Sequence, residues 1–333
     1  MTIYNAKTTK LLKQYRLSPS NESILDFAIK PYSTQSTYGK LYSDMENITM
    51  VSVGYAGQLK RMDLQTGKVL KDFSEEKNEI YALDYRYDGQ YFASAGKDRH
   101  VRIYDERRQK LVETLRLGEE LTSGKDAHIN RIYALRFHPS NPHYIITAGW
   151  DHTVQVFDRR SGSAIRHFSN VYIAGSGLDI DHEGGVFCGS TRPHHQLQEF
   201  DFESTDLRFE YTIDGESKGD GKPHLMIHSL SLDPSNKMLL VGGTNRHDLQ
   251  VYQRPTLYQN SKDKWIVKRP SILLASLPVV PSIHATAWQP LPKLHSVSAI
   301  AAGGDGYLYF LSSDASTWIC NDDPTQSDVL PLN

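Results

Sequence analysis

Cysteine is nearly absent from the chain. Its two thiols, Cys188 and Cys320, are too few for a disulfide framework, so the fold is expected to rest on a buried core in a reducing compartment. Long apolar runs are missing too: the longest mostly apolar stretch, Ser271 to Val280, is about half what a membrane helix needs and contains Pro278. No basic, apolar leader opens the chain, and the expectation is an intracellular, cytoplasmic protein, with a cytoskeletal or nuclear place left open. Nor does one sign of charge dominate. A formal net charge of -2 gives no global attraction to nucleic acid or to anionic membrane, so partners are expected to be proteins recognised by local surface.

What the chain does contain is apolar material, 39% of 333 residues, enough to bury a large core. It also contains a repeat. From Ile132 to Phe168 three short alternating runs and one looser run are separated by turn chemistry. Ile132, Ala134 and Arg136 alternate with Tyr133, Leu135 and Phe137, as a period-2 strand requires. Pro139, Asn141 and Pro142 then turn the chain into an apolar, β-branched run from Tyr144 to Thr147. After the small residues and Asp151, a third run carries Val154, Val156 and Asp158, and a fourth covers Ser163 to Phe168. The same tetrapeptide IYAL, the same Gly-x-Asp turn and the same aromatic-Asp-x-Arg ending recur upstream from Ile80 to Leu117, with a one-residue difference confined to the first turn. A four-stranded unit that tolerates an insertion in a loop, and cannot bury both faces alone, is expected to stack on its neighbours.

These positions resemble the WD-repeat β-propeller family: Asp98 and Asp151 in the turn, Tyr104-Asp105 and Phe157-Asp158 where the family usually has Trp-Asp, and His128 ahead of the third unit. The resemblance implies an all-β fold, one β-propeller domain over residues 1–333. Six blades are readable, starting near Ile24, Ile80, Ile132, Gly177, Met226 and His284. Residues 1–17 hold two strands without a blade of their own, and the family's habit of closing the ring with an N-terminal strand implies that they pair with the last blade. Seven blades are the alternative, with the missing strands drawn from Arg254 to Ser282. That segment, with proline at 255, 270, 278 and 281, otherwise reads as one strand plus an extended crossing, and residues 313–333 read as a tail. The long polar connection from Pro31 to Asn47 reads as a functional or mobile loop.

Three groups of residues have part of the pattern of a chemical site. Cys188 with His182, His194 and His195 lacks converging metal-ligand spacing, because adjacent His194 and His195 point apart in extended chain. Asp214, Glu216 and Asp220 alternate like a calcium loop, yet Lys218 stands at a ligand position and Leu225 where the bidentate Glu belongs. The glycines of Ala301 to Gly306 precede a strand instead of a helix, so they make a turn and no phosphate cradle. No nucleophile, base and orienter converge, and neither cofactor, metal nor enzymatic activity is expected.

The resemblance assigns His128, Thr147 and Asp151 to a structural hydrogen-bond network. Phe157, without a donor, ends it at Thr147. Ser94 and Asp98 make a reduced version in which Glu76 takes the place of the His. The interaction candidates lie on the rims. Trp150 and Lys97 follow the small-residue turns, and Arg107, Arg108, Arg159 and Arg160 place forked donors on the opposite face, suited to a carboxylate-bearing partner or to pairing with Asp105, Glu106 and Asp158. The expected function is a non-enzymatic scaffold for protein–protein interaction in a cytoplasmic or cytoskeletal assembly. Ile145 to Arg160 also resembles the motif by which some WD-repeat proteins dock on the adaptor of cullin-RING ubiquitin ligases, which would make Arg107 and Arg160 contacts of a substrate receptor.

Overall fold

Short alternating runs broken by Gly, Asp, Asn and Pro direct the backbone into brief antiparallel strands. The computed structural model describes residues 2–4, 11–14, 23–31, 49–115, 128–213, 223–246, 248–260, 264–278, 282–288, 297–303, 307–312 and 330–331. Every helix-or-strand element among these residues is a strand, and they form six four-stranded antiparallel sheets and two two-stranded ones. Contacts group them into two compact units, residues 15–171 and residues 172–333 with 2–14.

The first unit holds three sheets, each paired in chain order. The first is Ile24–Ile29, Thr49–Gly54, Gln58–Asp63 and Val69–Ser74. The second is Ile80–Tyr85, Tyr91–Gly96, Val101–Asp105 and Lys110–Leu115. The third is Ile132–Phe137, Tyr144–Gly149, Thr153–Asp158 and Ser163–Ser169. The second sheet is buried on both faces. Phe92 and Tyr104 pack on Val51, Val53 and Leu59 of the first, while Ala93, Ala95, Val101 and Ile103 pack on Ile132, Leu135, Ile145 and Phe157 of the third. Period-2 alternation thus serves two cores at once, each large side chain adding about 1.5–3 kcal/mol of burial. Carboxylates pin sheet to sheet: Asp26 Oδ2 accepts the Leu83 N–H at 2.9 Å, and Asp84 Oδ2 accepts that of Phe137 at 2.8 Å. The small residues ending the second strands have a steric cause. A Cβ on Gly96 would stand 1.9 Å from the Glu79 carbonyl oxygen, and one on Gly149 2.7 Å from that of Arg131.

The second unit repeats the pattern with changes. Its first sheet, the fourth of the chain, is Leu178–Ile180, Gly185–Gly189, Leu197–Asp201 and Leu207–Tyr211; the fifth is Met226–Leu232, Met238–Thr244, Asp248–Gln253 and Ile272–Pro278. Leu197, Tyr211, Ile227, Leu230 and Leu239 fill the core between them. Here too Asp179 Oδ2 accepts the Leu232 N–H at 2.8 Å. The segment from 254 to 282 departs from expectation, holding three strands instead of one. A hairpin of Thr256–Gln259 and Trp265–Arg269, flanked by Pro255 and Pro270, is inserted before the fourth strand. Its strands pair with each other, so they do not complete a sheet for Thr2–Tyr4 and Leu11–Gln14, which also pair together. The sixth sheet is Ile283–Trp288, Val297–Gly303, Tyr307–Ser312 and Leu330–Pro331; its fourth strand lies within residues read as a tail. The long connection at 32–48, the acidic loop at 214–222 and Asp305 fall outside the described residues.

Candidate interaction surface

The first strands of the second and third sheets do not alternate strictly. In the second and third sheets the register shifts between Ile80 and Ala82 and between Ile132 and Ala134, leaving Tyr81 and Tyr133 as the extra residues of β-bulges. A bulge re-aims the side chain it frees. Ile80 and Ile132 stay in the core, while the two tyrosines leave it and stack, ring centroids 4.7 Å apart with 27° between planes. Trp150 stands edge-on to Tyr133 at 5.6 Å. The Arg131 guanidinium lies 6.0 Å from the Trp150 ring and donates to the Tyr81 hydroxyl at 3.3 Å.

Equivalent backbone positions carry the charged part of this surface. Trp150 N–H donates to Arg131 O at 2.8 Å, and Lys97 N–H donates to Glu79 O at 2.9 Å. The third sheet therefore sets a cation by an aromatic ring where the second sets an ion pair, Lys97 Nζ to Glu79 Oε1 at 2.5 Å. Bonds from Lys97, Tyr81 and Tyr55 hold the Glu79 carboxyl below its ordinary range. Burial and the bond to Glu79 push the Tyr81 phenol far above its own, so the pair stays one anion and one neutral donor. Tyr55 is 58% exposed, Trp150 47% and Ile129 62%, and the surface spans all three sheets of the first unit. Trp150, read as either exposed or packed, is both: it rests on Tyr133 and leaves half its area to solvent. Exposed aromatics rimmed by charge have the composition of binding hot spots.

Beneath this rim His128, Thr147 and Asp151 are brought together. His128 Nε2 meets Thr147 Oγ1 at 2.8 Å and Nδ1 meets Asp151 Oδ2 at 2.8 Å. Asp151 also accepts the Ile129 N–H and the Thr153 hydroxyl, both at 2.9 Å. Burial opposes ionisation of Asp151, but these bonds, His128 first, outweigh it and keep the carboxyl below its usual value. In the second sheet the residue facing Ser94 is Glu75, not Glu76. Glu75 accepts from Ser94 Oγ, from Tyr104 OH and Arg102 Nη1 at 2.9 Å each, and from Asn78 Nδ2 at 2.6 Å. Arg102 also reaches Asp98 at 2.5 Å; despite burial, bonds from His100 and Arg102 hold the Asp98 carboxyl down to about 2. Far from a reduced version, this network is the larger one, because Tyr104 has the donor that Phe157 lacks.

Three of the four rim arginines are already matched by carboxylates. Arg160 Nη2 bonds its own turn residue Asp158 at 2.6 Å, and Arg108 lies 3.6 Å from Asp105. Arg159 is half-buried, with Nε on Glu113 Oε2 at 2.9 Å and its guanidinium 4.7 Å from the Tyr91 ring. Asp105 and Asp158 are turn formers, accepting the N–H of Arg108 at 2.7 Å and of Arg160 at 2.9 Å. Glu106, expected to pair with these arginines, is turned inward to Arg61 and Tyr85. Arg107 alone of the four is exposed with no partner among the described residues. Elsewhere, His195 Nδ1 faces Glu210 Oε1 at 2.6 Å, and Cys188 is buried, its thiol pushed up by that burial. Among the described residues no group of three His, Cys, Asp or Glu is placed to hold a metal.

Sequence reasoning missed Tyr81, Tyr133, Arg131, Glu79 and Glu75. The twice-written IYAL was the visible signal for the tyrosines, but strict alternation assigned Tyr133 to the same side as buried Leu135 and Phe137, and only the bulge separates them. Residues 67–105 and 119–158 match a family profile described as WD domain, G-beta repeat. The first matched stretch runs from before the last strand of the first sheet through the third strand of the second, so the sequence unit straddles two sheets. No curated protein matches the chain.

Proposed function

We propose, from the WD repeats at residues 67–105 and 119–158, a non-enzymatic interaction scaffold of the WD-repeat kind that meets its partners through Tyr81, Tyr133, Trp150 and Arg131. Its all-β succession of four-stranded antiparallel sheets with WD repeats is consistent with a WD β-propeller, and repeats of this kind generally mediate protein–protein contacts. The observation that carries the reading is the exposed aromatic stack with its ordered guanidinium, a group already fixed before any partner arrives. Ordering is where binding loses free energy, so a surface held by bulges and cross-bonds is suited to recognition. The test is affinity purification with quantitative mass spectrometry. Proteins recovered with the natural chain are expected to fall at least about tenfold with Trp150→Ala and with Arg131→Glu, and to persist with Tyr258→Ala, an equally exposed aromatic in the other unit. Equal recovery with all four chains would refute the surface.

The partners are proposed to be components of a cytoplasmic or cytoskeletal assembly, supported by the low cysteine count. A second reading is favoured by unpaired Arg107: docking on the adaptor of a cullin-RING ubiquitin ligase through Arg107 and Arg160. Arg107→Ala with Arg160→Ala is then expected to remove the adaptor alone from the recovered set, leaving the Trp150-dependent proteins in place.

A further inference from the structure

A cleft of about 770 Å³ opens in the first unit between the first sheet and the turns of the second. Its acidic residues are already matched. Glu106, almost fully buried, holds Arg61 through Nε at 2.8 Å and Nη2 at 2.7 Å and accepts from Tyr85 OH at 3.0 Å. Asp88 is bridged by Arg86 through two nitrogens, at 2.9 and 2.6 Å. Asp105 is spent on its turn and on Arg108. Two cations of the wall are left in excess. Lys30, 3.6 Å from Glu106, adds a second positive charge to a carboxylate that Arg61 already neutralises, and Arg107 has no partner among the described residues. The wall between them is fixed: Tyr91 is clamped between the guanidinium groups of Arg86 at 4.3 Å and Arg159 at 4.7 Å.

We propose that this cleft binds an acidic peptide segment of a partner protein, with a Glu or Asp carboxylate on Arg107 and Lys30. A forked, unpaired guanidinium fits a carboxylate in two-point geometry. The volume holds several residues of peptide, more than a lone anion needs. The site is separate from the aromatic surface, so either can fail without the other.

The test is fluorescence anisotropy of the full chain with a fluorescein-labelled Gly-Glu-Gly-Glu-Gly-Glu-Gly peptide and its Gln counterpart. The expected result is saturable binding of the Glu peptide, at least about tenfold tighter than the Gln peptide, lost with Arg107→Glu. Arg131→Glu, a charge reversal on the separate aromatic surface, and Trp150→Ala are expected to leave it unchanged. No saturation up to about 1 mM, equal affinity for the two peptides, or equal loss with Arg131→Glu, which marks a diffuse charge effect, would each overturn the proposal.

Discussion

The second and third sheets repeat one backbone and fill its central polar site differently. In both, a hydroxyl on the second strand stands opposite a third-strand residue: Ser94 opposite Arg102, Thr147 opposite Gln155. Where the group reaching that hydroxyl is Glu75, the third strand supplies a cation and a phenol, Arg102 and Tyr104. Where it is His128, the third strand supplies neutral Gln155 and Phe157. Gln155 is fully buried and its Oε1 has no hydrogen-bond partner among the described residues, so the smaller network is also the less satisfied one. The difference teaches that the site selects a balanced set of groups, not a particular residue. A buried charge is tolerated only where its donors are complete.

The strongest way to break the comparison is Glu75→Ala. It strands Ser94, Tyr104 and one face of Arg102 in a site that is almost wholly buried, and is expected to cost about 3–5 kcal/mol, read as a fall in the denaturation midpoint. A loss as small as that of a surface substitution would show the network to be ornamental. Swapping the logic sharpens it further. His128→Glu places a carboxylate beside Asp151 with no cation near and is expected to destabilise, while adding Gln155→Arg restores about 1–3 kcal/mol of that loss. Strict additivity of the two substitutions would mean that the pairing of charges between the two positions is coincidental.

These networks also mark how far the sequence could be read. The strands Ile132–Phe137 and Ile80–Tyr85 and the turn residues Asp98 and Asp151 were legible because period-2 burial and Gly-x-Asp turns are local signals. Glu75 was not, since it precedes a strand in a run of polar residues and its role depends on Ser94, Arg102 and Tyr104, all distant in sequence. The fourth strand of the fifth sheet was obscured by the hairpin ahead of it, whose flanking prolines read as loop. The inter-sheet carboxylates Asp26, Asp84 and Asp179 look like ordinary polar positions of a half-exposed strand until the next sheet's N–H is in place. The aromatic surface was half-legible: Trp150 stood out, and the tyrosines waited on a bulge.

A smaller effect separates polar contacts within a sheet from those between sheets. Asp151 is held below its ordinary value, whereas burial raises Asp26 to about 6, against which its bonds from Phe27 and Leu83 and the charge of Arg136 work only in part. A raised carboxyl favours the protonated fold. The contribution of Asp26 is therefore fully present below about pH 3.8 and is lost as pH rises through about 6, a change of about 1 kcal/mol for a group partly open to solvent. Denaturation midpoints between pH 4 and 7 are expected to lose this component in Asp26→Asn. An identical profile for the two chains would remove Asp26 from the account.

The smallest expected effect on stability belongs to Trp150, whose removal leaves every network bond in place. It is also the most direct test of a scaffold whose interior holds shape and whose rim binds. Thermal melting and quantitative partner recovery should be measured together on Trp150→Ala. An unchanged melting temperature with partner recovery lost is the expected result; an unchanged melting temperature with full recovery would contradict it.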